Sequence, residues 1–124
     1  MSLAAIDCGT NSIRLLIADV DEAGVLHEQV RLMRIVRLGE GVDRSGEFST
    51  EALARTFAAL DEYADLIEQS SIDQIRFVAT SASRDVRNRV EFVAGVRLRL
   101  GIEPDVITGD EEAELSFMGA IRGL

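Results

Sequence analysis

The sequence predicts an α/β domain with a mixed five-stranded sheet flanked by helices, in the element order βββαβαβα. Two observations support this fold class. Near the N-terminus, three apolar runs are separated by short polar turns, which indicates an antiparallel meander. After them, helical patterns alternate with short apolar runs, which is typical of helices packed on a partly parallel sheet.

The meander is predicted from residues 3–8, 13–20 and 25–38, which are rich in strand-forming residues. Small polar residues, GTNS at 9–12, separate the first two runs, and DEAG at 21–24 separates the next two. Such residues are ordinary turn formers. Three consecutive strands joined by tight turns follow from this pattern.

A helix of about five turns is predicted after the glycine-rich segment 39–49. Ser49 and Thr50, with Glu51 behind them, are suited to cap its N-terminus. Apolar residues then recur at helical spacing: Leu53, Phe57, Leu60, Ala64 and Ile67.

The second half of the chain predicts a strand at 75–80, a second helix, a strand at 104–107 and a third helix N-capped by Asp110. Gly101 is placed to end the second helix. The apolar stripe expected on that helix consists of Val86, Val90, Val93, Val96 and Leu100.

The formal net charge of −9 argues against attraction to nucleic acid or to an anionic membrane surface. No apolar run approaches the length of a membrane helix, and the first residues do not resemble a signal peptide, so we expect a cytoplasmic protein. Any phosphate binding must come from a local cluster of N–H groups, arginines or a metal ion.

Several catalytic classes are excluded by residues that the chain lacks. The single cysteine, Cys8, excludes an internal disulfide and a multi-cysteine zinc site, and the single histidine, His27, excludes paired-histidine metal ligation. All 13 basic residues are arginine, so there is neither a Walker A lysine nor a Schiff-base lysine. We interpret Cys8 as a small buried residue and His27 as a surface residue on a strand.

The segment from Asp7 to Arg14 can be interpreted in two ways. Glycine lets the backbone approach a ligand, successive N–H groups and two hydroxyls can surround a phosphate, and Asp7 at the strand end can hold hydrated magnesium. The same residue types also form an ordinary hairpin turn. Spacing alone leaves both interpretations open.

Four blocks of the sequence resemble the exopolyphosphatase / guanosine pentaphosphate phosphohydrolase family. They are AIDCGTNSIRLLIAD at 5–19, VRLGEGVD at 36–43, ATSASRDVRN at 79–88 and ITGDEEAELSFMGA at 107–120. The resemblance implies a ribonuclease H-like fold of the actin-like ATPase superfamily. It also implies removal of terminal phosphate from inorganic polyphosphate or from guanosine pentaphosphate, with Mg²⁺ as cofactor.

The resemblance also implies roles for individual residues. Those expected to contact phosphate are Gly9, Thr10, Asn11, Ser12, Arg14, Ser81 and Arg84. Asp7 is expected to face the metal and Glu112 to be the catalytic base, with Glu111 as the adjacent alternative. If the resemblance is set aside, acidic residues in the first turn of the third predicted helix would simply complement the helix dipole, and Arg84 could form a surface ion pair. Arg31, Arg34 and Arg37 are interpreted as a solvated strand edge without function.

The family's second phosphate signature, a glycine-rich turn in a following domain, does not occur in these residues. We therefore expect residues 1–124 to be the N-terminal domain of a longer phosphatase, completed by a C-terminal domain of the same polypeptide. A homodimer of the full-length protein is a further expected partner. Two alternatives remain: half of an actin-like kinase or ATPase, and a non-catalytic regulatory or dimerisation module.

Overall fold

The computed structural model describes residues 1–79 and 86–106 of the chain. The strands are β1 (Ser2–Cys8), β2 (Ser12–Val20), β3 (Leu26–Ile35), β4 (Gln74–Ala79) and β5 (Asp105–Val106). The helices are α1 (Val42–Ser45), α2 (Thr50–Gln69) and α3 (Arg89–Leu100). The predicted order is confirmed as far as β5, with the addition of the single-turn helix α1. The third predicted helix, beginning at Asp110, lies outside the described residues.

The sheet has five strands in the order β3-β2-β1-β4-β5. β1 pairs antiparallel with β2, and β2 pairs antiparallel with β3, which is the predicted meander. β4 then pairs parallel with β1, and β5 pairs parallel with β4. The mixed five-stranded sheet is therefore confirmed. Within the two described ranges, neither long helix is apolar enough to cross a membrane.

Strands β1, β3, β4 and β5 all run in the same direction and end at one side of the sheet, which we call the carboxyl edge. In β1 and β4 the last residues, Cys8 and Ala79, are paired, and Ala79 is in turn paired with Val106 of β5. Ile35, the last residue of β3, is paired with Ser12 next to the β1–β2 turn. The chain therefore leaves four strands at nearly the same level.

Helix α2 begins and packs as its sequence predicts. The Ser49 side chain accepts a hydrogen bond from the Ala52 N–H at 3.0 Å, and so caps the helix N-terminus. Tyr63, fully buried in the middle of the helix, donates its hydroxyl to the Ile13 carbonyl at 2.8 Å. Burial raises the pKa of Tyr63 to about 12, so the phenol stays protonated. This bond attaches α2 to β2 just beyond the β1–β2 turn.

Helix α3 ends where predicted but presents a different face to the core. Gly101 has a left-handed backbone and donates its N–H to the Arg97 carbonyl at 2.8 Å, which confirms the C-cap. The predicted stripe is wrong at Val90, which is 78% exposed, because Phe92, Gly95 and Val96 form the buried face instead.

Aromatic packing explains this rotation of α3. The ring of Phe92 lies between those of Phe48 and Phe77, at centroid distances of 5.6 and 6.0 Å. A buried phenylalanine removes more apolar area from water than a valine does. Gly95 lets α3 approach α2 closely, since a Cβ there would lie 2.3 Å from the ring of Phe57. The valine stripe is therefore left partly in solvent.

Candidate functional site

The four sequence blocks contain or follow the strand ends that lie at the carboxyl edge. The 9–12 turn follows β1, the segment 36–43 follows β3, and the blocks that contain Ser81 and Glu112 follow β4 and β5. Ligands of open α/β sheets bind outside the carboxyl ends of the strands. Ser81, Arg84, Glu111 and Glu112 themselves lie outside the described residues, so their positions stay predictions.

The 9–12 turn is a tight hairpin whose carbonyl groups are occupied. Gly9 donates its N–H to the Ser12 carbonyl at 2.8 Å, inside the turn. The Asn11 carbonyl accepts the N–H groups of Val36 and Arg37 at 3.0 and 2.9 Å, and the Thr10 carbonyl accepts that of Gly39 at 2.8 Å.

These hydrogen bonds determine which polar groups of the turn remain available to bind an anion. The carbonyl oxygens of Thr10 and Asn11 would repel a phosphate, but they are directed into hydrogen bonds with the segment 36–39. Thr10 and Asn11 are exposed, and within the part of the chain that the structure describes their N–H groups make no hydrogen bond. The Gly9 N–H is already bonded inside the turn, and the phosphate contact expected of Gly9 stays a prediction. The hairpin interpretation is thus correct, and it is compatible with phosphate binding.

The segment after β3 packs tightly against this turn. A Cβ on Gly39 would lie 3.1 Å from the Cβ and 3.4 Å from the carbonyl oxygen of Thr10. Only glycine therefore fits here without displacing Thr10. The first two sequence blocks form one structural unit at the carboxyl edge.

A cleft of about 530 Å³ lies between the turn and the segment 37–43. It is lined by Thr10, Asn11, Arg37, Gly39, Glu40, Val42 and Asp43. Arg37 has a left-handed backbone (φ 51°), which is uncommon for any residue other than glycine. Its position in this cleft corrects the interpretation of Arg37 as part of the strand edge, because β3 already ends at Ile35.

Arg31 and Arg34 do lie on the edge strand β3, as predicted. Arg31 pairs with Glu28, and Arg34 pairs with Glu62 of α2. The other two interpretations of single residues are also confirmed: Cys8 is buried, and His27 is exposed, with its Nε2 2.8 Å from Asp21. Among the described residues, sequence reasoning missed the position of Arg37 in this cleft. The place of Arg37 inside the block 36–43 was the available signal.

Asp7 and Arg14 face each other as a cross-strand pair on β1 and β2. Asp7 is only 8% exposed, and its burial raises the pKa of the carboxyl group, while the positive charge of Arg14 lowers it to a smaller extent. Arg14 is exposed and acts through its charge, since no ion pair joins the two side chains within residues 1–79. The carboxylate is therefore poorly compensated.

A buried carboxylate of this kind fits a magnesium ion. Within the described ranges, the carboxylate of Asp7 receives no hydrogen bond, and no group of three or more metal-ligating side chains occurs. Mg²⁺ commonly binds through one or two carboxylates together with water and substrate phosphates. Asp7 would thus be one protein ligand of a largely hydrated ion, whose positive charge would compensate the carboxylate.

The carboxylate of Asp7 should destabilise the folded chain. Because its folded pKa is raised, the charged form costs stability above that pKa, and the cost disappears below the unfolded value near pH 4. We expect Asp7→Asn to have a higher melting temperature than the wild type at pH 7 without Mg²⁺. This difference should vanish below about pH 3.

Asp65→Asn is the matched control, because Asp65 is an exposed aspartate on α2 and should show no gain at either pH. Adding Mg²⁺ should raise the melting temperature of the wild type and of Asp65→Asn but not that of Asp7→Asn. A loss of stability in Asp7→Asn at pH 7 would show that the carboxylate is already satisfied by the fold.

The chain matches the family model described as the Ppx/GppA phosphatase family over residues 16–124. It is 55% identical to exopolyphosphatase 2 of Mycobacterium tuberculosis, over 98% of the chain and 41% of that protein. Among solved structures, an exopolyphosphatase-like protein matches 94% of the chain with 52% identity and a TM-score of 0.85, over 36% of its own length.

The Aquifex aeolicus member of the same family matches 90% of the chain with 34% identity and a TM-score of 0.83, over 36% of that structure. The fold is accordingly the ribonuclease H-like fold of the actin-like ATPases. The chain spans about two fifths of the length of these relatives. Family model, sequence identity and fold all agree, and the chain belongs to the Ppx/GppA phosphatase family.

Proposed function

We propose that this chain is the N-terminal domain of a phosphoanhydride hydrolase that releases the terminal phosphate of inorganic polyphosphate. The observation that carries the proposal is that the strands leading into the four blocks end at nearly one level at the carboxyl edge, with the last residues Cys8, Ile35, Ala79 and Val106. The name of the mycobacterial relative, exopolyphosphatase 2, supports the choice of substrate. A domain beyond residue 124 completes the site in this proposal.

The turn supplies most of the phosphate contacts that the proposal needs. N–H groups of Thr10 and Asn11, together with the hydroxyls of Thr10 and Ser12, bind the oxygens of the reacting phosphate. Arg14 approaches from the next strand, and Ser81 and Arg84 close the site from the segment after β4. These donors are local, as a protein of net charge −9 requires for a polyanionic substrate.

Hydrolysis needs a positioned water and compensation of the charge that develops during phosphoryl transfer. Glu112 orients the water and accepts its proton, and Glu111 is the neighbouring carboxylate that could replace it in this role. Arg14 and Arg84 stabilise the developing negative charge on the phosphoryl oxygens. A magnesium ion held by Asp7 would supply further positive charge when bound.

The proposal is tested by the products that the complete polypeptide forms. With polyphosphate and Mg²⁺, we expect release of inorganic phosphate to water, and no transfer to nucleotide or sugar acceptors. Transfer to an acceptor would instead identify half of a kinase, and no turnover of any phosphate donor would favour the non-catalytic module. Guanosine pentaphosphate, assayed in parallel, tests whether the same site also produces the tetraphosphate. A cytoplasmic location stays a prediction.

A further inference from the structure

We propose that the cleft between the turn and the segment 37–43 is a subsite for the part of the polyphosphate chain that follows the reacting phosphate, with Arg37 as its cationic contact. This inference rests on the proposed function and extends it. The cleft shares Thr10 and Asn11 with the turn but is not lined by Asp7 or Arg14. It therefore continues the predicted phosphate site away from the metal position. Its volume of about 530 Å³ lies in the usual range of ligand pockets, about 300–1,000 Å³.

Arg37 is held rigidly at this position by hydrogen bonds on both sides of its peptide groups. Its N–H donates to the Asn11 carbonyl at 2.9 Å, and its own carbonyl accepts the Glu40 N–H at 3.1 Å and the Arg55 guanidinium at 3.4 Å. The left-handed backbone is thereby imposed on a residue that adopts it with strain. Strained backbone maintained by surrounding contacts is found more often at ligand-binding positions.

The guanidinium of Arg37 has no acidic partner within the described residues, although acidic side chains are plentiful. Arg31, Arg34 and Arg55 are paired with Glu28, Glu62 and Glu40. The exposed Arg37 side chain instead lines the cleft next to the exposed turn. A free arginine beside backbone N–H donors is the arrangement that binds phosphate oxygens.

The cleft also contains Asp43, on the same segment as Arg37, and its negative charge should oppose a polyanion. Glu40, the other acidic residue of the cleft, is paired with Arg55 at 3.4 Å, but Asp43 has no ion pair within the described ranges. The cleft thus contains one unpaired positive and one unpaired negative side chain. Removing each charge should change the affinity for a phosphate chain in opposite directions.

The test compares long-chain polyphosphate with tripolyphosphate in the complete polypeptide. Arg37→Asn removes the charge with a residue that tolerates the left-handed backbone. We expect it to raise KM for the long chain about tenfold with kcat unchanged, because the contact is equal in ground and transition states. KM for tripolyphosphate should rise less, because only two phosphates follow its reacting phosphate and fewer of them can reach Arg37. Asp43→Asn should lower KM for the long chain.

Arg44→Asn is the matched control, because Arg44 is exposed on α1 and does not line the cleft. It should leave both values of KM unchanged, and Arg37→Lys should restore part of the affinity. An unchanged long-chain KM in Arg37→Asn, or an equal rise for both substrates, would overturn the subsite while leaving the proposed function intact. Absence of phosphate release by the wild type would instead overturn the proposed function.

Discussion

Replacing Glu112 by glutamine is expected to lower kcat for phosphate release by about 100- to 10,000-fold, the range that general-base catalysis usually contributes. Glutamine keeps the size and a hydrogen-bonding oxygen of the side chain, but it cannot accept the proton of the attacking water. The binding of polyphosphate should change little, because the donors of the turn and the arginines remain. Steady-state phosphate release by the complete polypeptide measures kcat, and its dependence on polyphosphate concentration gives KM, which reports the binding.

Glu111→Gln is the matched control, since it removes the same charge one position earlier in the sequence. We expect its kcat to stay within about tenfold of the wild type. A large loss in Glu111→Gln with normal activity in Glu112→Gln would transfer the role of base to Glu111. Normal activity in both variants would contradict the proposal that this acidic segment supplies the base.

Gly39→Val should lower kcat/KM by about 100-fold, the loss that follows a displacement of roughly 1 Å in an active site. The new Cβ would lie 3.1 Å from the Cβ of Thr10 and 3.4 Å from its carbonyl oxygen, before the two methyl groups are added. The Thr10 carbonyl is bonded to the Gly39 N–H at 2.8 Å, so the turn cannot stay in place while the segment moves away. We therefore expect the phosphate-binding groups of the turn to shift.

Gly101→Val separates this effect from a general loss of stability. Gly101 has a φ of 73°, so valine there is strained, but it caps α3 ahead of β5, whereas the site lies at the far end of that strand. It should lower the melting temperature and leave kcat/KM of the folded enzyme unchanged. Gly39→Ala should give an activity between the wild type and Gly39→Val. Equal loss of activity in Gly101→Val and Gly39→Val would assign the effect to stability.

Most of the elements are predictable from local physical chemistry. The two hairpin turns, the Ser49 cap and the Gly101 cap depend on residues that are near one another in the chain, and the structure confirms all four. The orientation of α3 is not predictable in this way. Spacing places the valines on one stripe, but the core selects Phe92, because two distant aromatic residues, Phe48 and Phe77, leave room for a ring.

Some features of the candidate site are likewise predictable from residues that are near one another in the chain, and others depend on distant residues. The sequence pattern alone was sufficient to locate the 9–12 turn, to place Asp7 at the end of a buried strand, and to show that phosphate binding had to be local in so acidic a chain. The pairing of the strands determines the surroundings of those residues in the folded chain. Burial removes Asp7 from water and, within the described residues, leaves it the charge of Arg14 as compensation. Arg37 lies in the cleft and not on the edge strand. Turns and caps are formed by neighbours in the chain, whereas desolvation and clefts arise between segments that only folding brings together.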